Sequence, residues 1–79
     1  MRIHDRDNDR TVTDAAVYLT TREAAELMAR LHAFINDHRV KHFSIADAEF
    51  DHDLHFYKYN EYELYGFDTR QKQIITSDQ

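Results

Sequence analysis

Histidines and carboxylates are the side chains of this 79-residue chain that could do chemistry, with six histidines and fifteen acidic residues. His42 and His55 fall at matching positions of two predicted neighbouring strands, so they could lie on one face. With Asp51 or Asp53 nearby, they could form a nitrogen and oxygen site for zinc. Because the sequence offers no complete ligand set, surface histidines are the default interpretation. We predict no cofactor, and the two histidines stay candidate metal ligands.

The aspartates near the N-terminus have a second possible chemistry. Asp5, Asp7 and Asp9 alternate like the first three ligands of a calcium loop, but such a loop needs glycine at its sixth position and glutamate at its twelfth. This chain has Arg10 and Ala16 there. We therefore interpret the segment as a solvated turn, since aspartate and asparagine side chains bond their own backbone.

An enzyme is not predicted. The sequence has no nucleophile elbow, no glycine-rich phosphate loop and no metalloprotease helix. A fold of this size also offers little depth for a pocket that encloses a ligand.

Aromatic residues crowd into FYKYNEYELYGF, residues 56–67, which holds four of the five tyrosines. Phe56 and Phe67 are expected to face the core, whereas Tyr57 and Tyr59 have the opposite parity to Phe56 and are expected on the other face. Exposed tyrosine beside carboxylates is typical of a binding surface, although half-exposed tyrosine also occurs on ordinary sheets. The predicted partner-binding residues are Tyr57, Tyr59, Glu61, Tyr62, Glu63 and Tyr65.

The elements that would position these residues begin with one helix. Thr20 and Glu23 fit a capping box, which predicts a helix from residue 21 to about residue 36 or 37. Its apolar residues recur with helical spacing on one stripe. Segments 40–46 and 54–59 are predicted to be the two strands of a hairpin. The stripe consists of Ala24, Leu27, Met28, Leu31, Phe34 and Ile35.

The two ends of the chain are predicted from weaker patterns. Residues 1–10 indicate a short edge strand and a turn, and residues 11–19 alternate as a strand does. The segment after Gly66 is expected to be a last short strand or a tail that frays after about residue 68. The predicted fold is α+β in one domain, residues 1–79. A small antiparallel sheet of order β-β-α-β-β, with room for one more short strand, carries one amphipathic helix on one face.

The first half of the chain resembles a group of small acidic bacterial proteins. The resemblance rests on Ile3, Asp5, Asp7 and Asn8, followed by YLTTREAAEL at residues 18–27. The shared pattern is YLT-x-x-EA-x-EL at the junction of a strand and a helix. It implies a strand–helix–strand order and no particular activity.

Composition narrows the class of partner. The net charge of −5 disfavours binding to a phosphate backbone and suits a basic protein partner, such as one that handles nucleic acid. The absence of cysteine and of a long apolar run predicts a cytoplasmic protein without membrane contact. So small a core also makes a homodimer possible.

Three functions fit these observations. The first is a non-enzymatic protein-binding module: an inhibitor, immunity or antitoxin-type protein, including phage-encoded inhibitors of bacterial defence nucleases. The second is a homo-oligomeric structural domain that uses the tyrosine face for dimerisation. The third is a histidine-based metal or pH sensor, since protonation of all six histidines would change the formal charge from −5 to +1.

Overall fold

The fold is α+β, as predicted, in a computed structural model that describes residues 1–47, 51–60 and 64–77. The strands form two separate antiparallel pairs, β1 with β2 and β3 with β4. No helix in the described ranges is both long and apolar enough to cross a membrane. The elements in chain order are β1 (His4–Asp5), β2 (Arg10–Thr11), α1 (Thr21–Asn36), β3 (His42–Ala46), β4 (Asp53–Tyr57) and α2 (Thr69–Ser77).

The chain divides into two compact units. The helix–hairpin unit is Tyr18–Tyr59, and the terminal unit combines Met1–Val17 with Asn60–Gln79. A single domain over residues 1–79 stays a prediction.

Helix α1 begins where the capping box predicts. The Thr20 hydroxyl accepts a hydrogen bond from the Glu23 N–H at 3.1 Å, and the Glu23 carboxylate accepts one from the Thr20 N–H at 2.9 Å. The box satisfies backbone donors that a helix start otherwise leaves unpaired. The predicted helix is confirmed, with its last residue at Asn36.

Aromatic rings form the core of the helix–hairpin unit. Phe43 lies opposite Phe56 in the hairpin register, and Ile45 lies opposite Leu54. The Phe43 ring stacks on Phe56 at 4.8 Å between centroids and meets Phe34 of α1 edge-on at 5.0 Å. Such ring pairs stabilise by roughly 0.5–1.5 kcal/mol beyond the burial of their area. The predicted parity of both strands is therefore confirmed.

The N-terminal strand pair is shorter than predicted. Asp5 Oδ1 accepts hydrogen bonds from the N–H groups of Asp7 and Asn8, which confirms the expected turn. The strand predicted for residues 11–19 is wrong beyond Thr11, because the described residues 12–20 form neither helix nor strand. A period-two pattern forms a strand only where a neighbouring strand pairs with it and a core covers its apolar face. Val17 is instead 56% exposed.

The C-terminal segment is a helix, so the predicted short strand or frayed tail is wrong for the described residues up to 77. Asp68 Oδ1 accepts from the Gln71 N–H at 2.7 Å, and Gln71 Oε1 accepts from the Asp68 N–H at 2.9 Å. This is the reciprocal pattern of a capping box with aspartate and glutamine as its members. The spacing of Asp68 and Gln71 was a readable signal that the sequence reasoning missed.

Candidate binding face

The hairpin has one face turned toward α1 and one turned away from it. Because side chains alternate along a strand, the residues opposite in parity to Phe43 and Phe56 share the second face. In the register, His42 lies opposite Tyr57 and Ser44 lies opposite His55. We call these four residues the open hairpin face.

Stacked rings occupy the open hairpin face. The His42 ring stacks on Tyr57 with centroids 4.4 Å apart and lies parallel to the His55 ring at 5.5 Å. His42 Nε2 is 3.2 Å from His55 Nδ1. One of these nitrogens donates its hydrogen and the other accepts it, because a neutral imidazole has one of each. The prediction that the two histidines share a face is confirmed.

The tyrosines expected at the binding surface are exposed wherever the structure describes them. Tyr57 is 42% exposed, Tyr59 is 39% exposed and Tyr65 is 81% exposed. Tyr65 belongs to the terminal unit, whereas Tyr57 and Tyr59 belong to the helix–hairpin unit. Three further predicted partner-binding residues lie outside the described residues: Glu61, Tyr62 and Glu63.

Lys58 follows β4 and contacts the end of α1, and the sequence reasoning missed this contact. Its ammonium group donates to the carbonyl oxygens of Phe34 and Asp37, the latter at 3.2 Å, and lies 5.0 Å from the centre of the Phe34 ring. A positive charge at this end of α1 satisfies its last carbonyls and opposes the negative end of the helix dipole. The contact joins residues 24 apart, so no local sequence pattern marks it.

A carboxylate closes the loop between the hairpin strands. Asp47 Oδ2 lies 2.7 Å from His52 Nδ1, and Asp47 Oδ1 accepts from the Asp51 N–H at 2.8 Å. The bond from His52 lowers the pKa of the Asp47 carboxyl, and the same bond raises the pKa of the His52 imidazole. His52 is therefore held by Asp47, whereas His55 contacts His42.

The helix–hairpin unit also contains a small open cleft with a volume of about 130 Å³. Ligand pockets commonly measure about 300–1,000 Å³, so this cleft is small for a substrate. Within the described part of the chain, no three histidine or carboxylate side chains gather as a metal site. The cleft is lined by Tyr18, Leu19, Glu23, Glu26, Ile45, Ala46, Asp47, His52 and Leu54.

No protein-family model, curated protein or solved structure matches this chain. The resemblance of its first half to small acidic bacterial proteins stays a prediction.

Proposed function

We propose that this chain is a non-enzymatic protein-binding module. It acts through the open hairpin face and through Tyr59, which follows β4 in the chain. A role in binding for Glu61, Tyr62, Glu63 and Tyr65 stays a prediction. The observation that carries the proposal is the ring stack of His55, His42 and Tyr57, which lies on the side of the hairpin opposite the aromatic core.

The stack suits recognition of a protein surface. Tyrosine supplies large contact area with few rotatable bonds, so little entropy is lost when it is covered. The rings of His42 and Tyr57 already stack on each other in the free chain. On the far side, Phe43 and Phe56 hold the strands in register. A surface ordered before binding loses less conformational freedom when it binds, which raises its affinity.

Charge indicates the kind of partner. The chain has a net charge of −5, and acidic residues alternate with tyrosines in the segment after β4. An Arg- or Lys-rich surface would complement this charge and would associate faster at low salt. We propose a basic, nucleic-acid-handling protein in the cytoplasm as the target, with the module acting as an inhibitor, immunity or antitoxin-type protein.

The test compares two tyrosine variants as bait in affinity capture from bacterial lysate, followed by titration of the purified partner. Tyr57→Ser combined with Tyr59→Ser should weaken binding by about thirtyfold or more, the loss expected for one interface hot spot. Tyr18→Ser is the matched control, because Tyr18 is 92% exposed and lies outside the open hairpin face. Equal capture by the double variant and by the control would exclude this face as the binding site.

A second copy of the chain is the competing occupant of the same face. Among the described residues, β3 and β4 form a two-stranded sheet. The edges of such a sheet can pair with another chain. Light scattering over a range of concentrations tests this alternative: a dimer that the Tyr57→Ser and Tyr59→Ser changes convert to a monomer would replace the module by a homo-oligomeric domain.

A further inference from the structure

We propose that His42 and His55 form a two-histidine chelate for a divalent transition-metal ion on the open hairpin face. Both nitrogens come from neighbouring strands whose register is fixed by the core on the opposite side. The site shares His42 and His55 with the proposed protein-binding face, but metal binding does not require that proposed function. It needs no other side chain of this chain as a ligand.

The distance between the two nitrogens matches that of two ligands on one ion. His42 Nε2 and His55 Nδ1 are 3.2 Å apart. Two nitrogens each bound at 2.0–2.1 Å in a tetrahedral zinc site are separated by about 3.3 Å. The strands therefore hold the ligands at chelating distance before any metal binds. Imidazole is a favourable ligand for zinc, copper and nickel.

The surroundings of the two rings favour ligation. The His42 ring stacks on Tyr57, and this contact limits its rotation. In the metal-free pair, either His42 Nε2 or His55 Nδ1 carries the hydrogen of the bond between them. With a metal bound to both nitrogens, that hydrogen is carried by the other nitrogen of the same ring. Asp53 has the same parity as His55 on β4, so its negative charge favours a cation at this face.

Water molecules fill the coordination positions of the ion that the two histidines leave open. No third histidine or carboxylate joins the pair to form a ligand group in the described residues. Two protein ligands make a weaker site than the four of a structural zinc site. An ion held in this way keeps positions open to a ligand from outside the chain.

The first test is calorimetric titration of the protein with Zn²⁺ near neutral pH. The expected result is one ion per chain, with His42→Gln and His55→Gln each weakening binding by on the order of tenfold or more. His38→Gln is the matched control, because it removes an exposed histidine outside the pair. Mg²⁺ is the control for charge, since it prefers oxygen ligands and should not compete.

A second measurement needs no substitution. In NMR spectra of the unaltered protein, Zn²⁺ should shift the ring signals of His42 and His55 and leave those of His38 in place. Equal weakening by His38→Gln and His55→Gln, competition by Mg²⁺, or one ion per two chains would overturn the chelate. Lower pH should weaken binding, because protons compete for both nitrogens; binding that persists unchanged in acid would also contradict it.

Discussion

The two units of this chain differ in the apolar residues that each of them buries. The helix–hairpin unit has stacked and edge-on phenylalanine rings at its centre. The terminal unit buries the aliphatic Ile74, which is 4% exposed. It also has charged contacts: Asp9 Oδ1 accepts from Arg70 Nε at 2.7 Å and lies 2.9 Å from His4 Nε2. Both units contain one helix with a capping box, so the contrast lies in what surrounds each helix.

The polar contacts of the terminal unit are close to solvent. The bond from Arg70, and then that from His4, lowers the pKa of the Asp9 carboxyl. Arg2 Nε donates to the Ile75 carbonyl at 3.1 Å, which places a positive charge near the end of α2. Salt screens such exposed pairs and leaves a ring core nearly unaffected. The proposed binding face lies on the unit that has the ring core.

The largest expected effect is the loss of the ring core. Phe43→Ala removes the ring that contacts both Phe34 and Phe56, and it should cost about 3–5 kcal/mol of unfolding free energy. Urea denaturation followed by circular dichroism measures the loss. Met28→Ala is the control, because Met28 is 69% exposed and should change stability by less than about 0.5 kcal/mol. Similar losses in both variants would mean that the rings are not the core.

A smaller effect is expected at the end of α1. Lys58→Met keeps most of the aliphatic stem but leaves the carbonyls of Phe34 and Asp37 without the ammonium donor. The expected loss is about 1–2 kcal/mol, the cost of leaving part-buried acceptors unsatisfied. Lys41→Met, at an exposed position beside β3, should be nearly neutral. If both changes are neutral in the same denaturation experiment, Lys58 does not cap the helix.

The two capping boxes allow a direct comparison of the units. Thr20→Ala and Asp68→Ala each remove a cap that contributes about 1 kcal/mol. Helix α2 has nine residues, and a helix this short is marginal without its cap. Amide hydrogen exchange should show α2 losing protection in Asp68→Ala, whereas α1 should keep most of its protection in Thr20→Ala. The reverse order would mean that α2 depends less on its cap than α1 does.

The smallest effect is a pH dependence of the hairpin loop. The raised pKa of His52 makes its contribution to stability fully present below the ordinary histidine pKa of 6.5 and lost as pH rises through the folded value. The lowered pKa of Asp47 makes its contribution present above 3.8 and lost as pH falls through the folded value. The contact between Asp47 and His52 should therefore be most stable between these two pKa values.

NMR titration of the Asp51 amide shift measures this dependence, because that N–H donates to Asp47. Asp47→Asn should remove the pH dependence of the Asp51 amide shift, and Asp53→Asn should preserve it. If the Asp51 amide shift of the unaltered protein does not change with pH, the Asp47–His52 pair does not control the contact of that amide with Asp47.

The elements whose contacts are local could be predicted from the sequence. The Thr20–Glu23 box spans three residues, so its spacing predicted where α1 begins. Alternation along β3 and β4 likewise predicted that His42 and His55 share a face, because parity is a local property of a strand. The stacking of His42 on Tyr57 and the 3.2 Å distance between the histidine nitrogens follow from the pairing register, which parity alone does not give.

Contacts between segments far apart in the chain could not be predicted in this way. Residues 12–19 carry a strand pattern, yet they form no strand in the structure, and β1 and β2 pair only over two residues each. Lys58 binds carbonyls that lie 21 and 24 residues earlier in the chain. Arg70 reaches Asp9 across 61 residues. Such contacts depend on which distant segments pack together. The free energy of that packing, including the entropy of closing the loop between the segments, is not a property of any short stretch of residues.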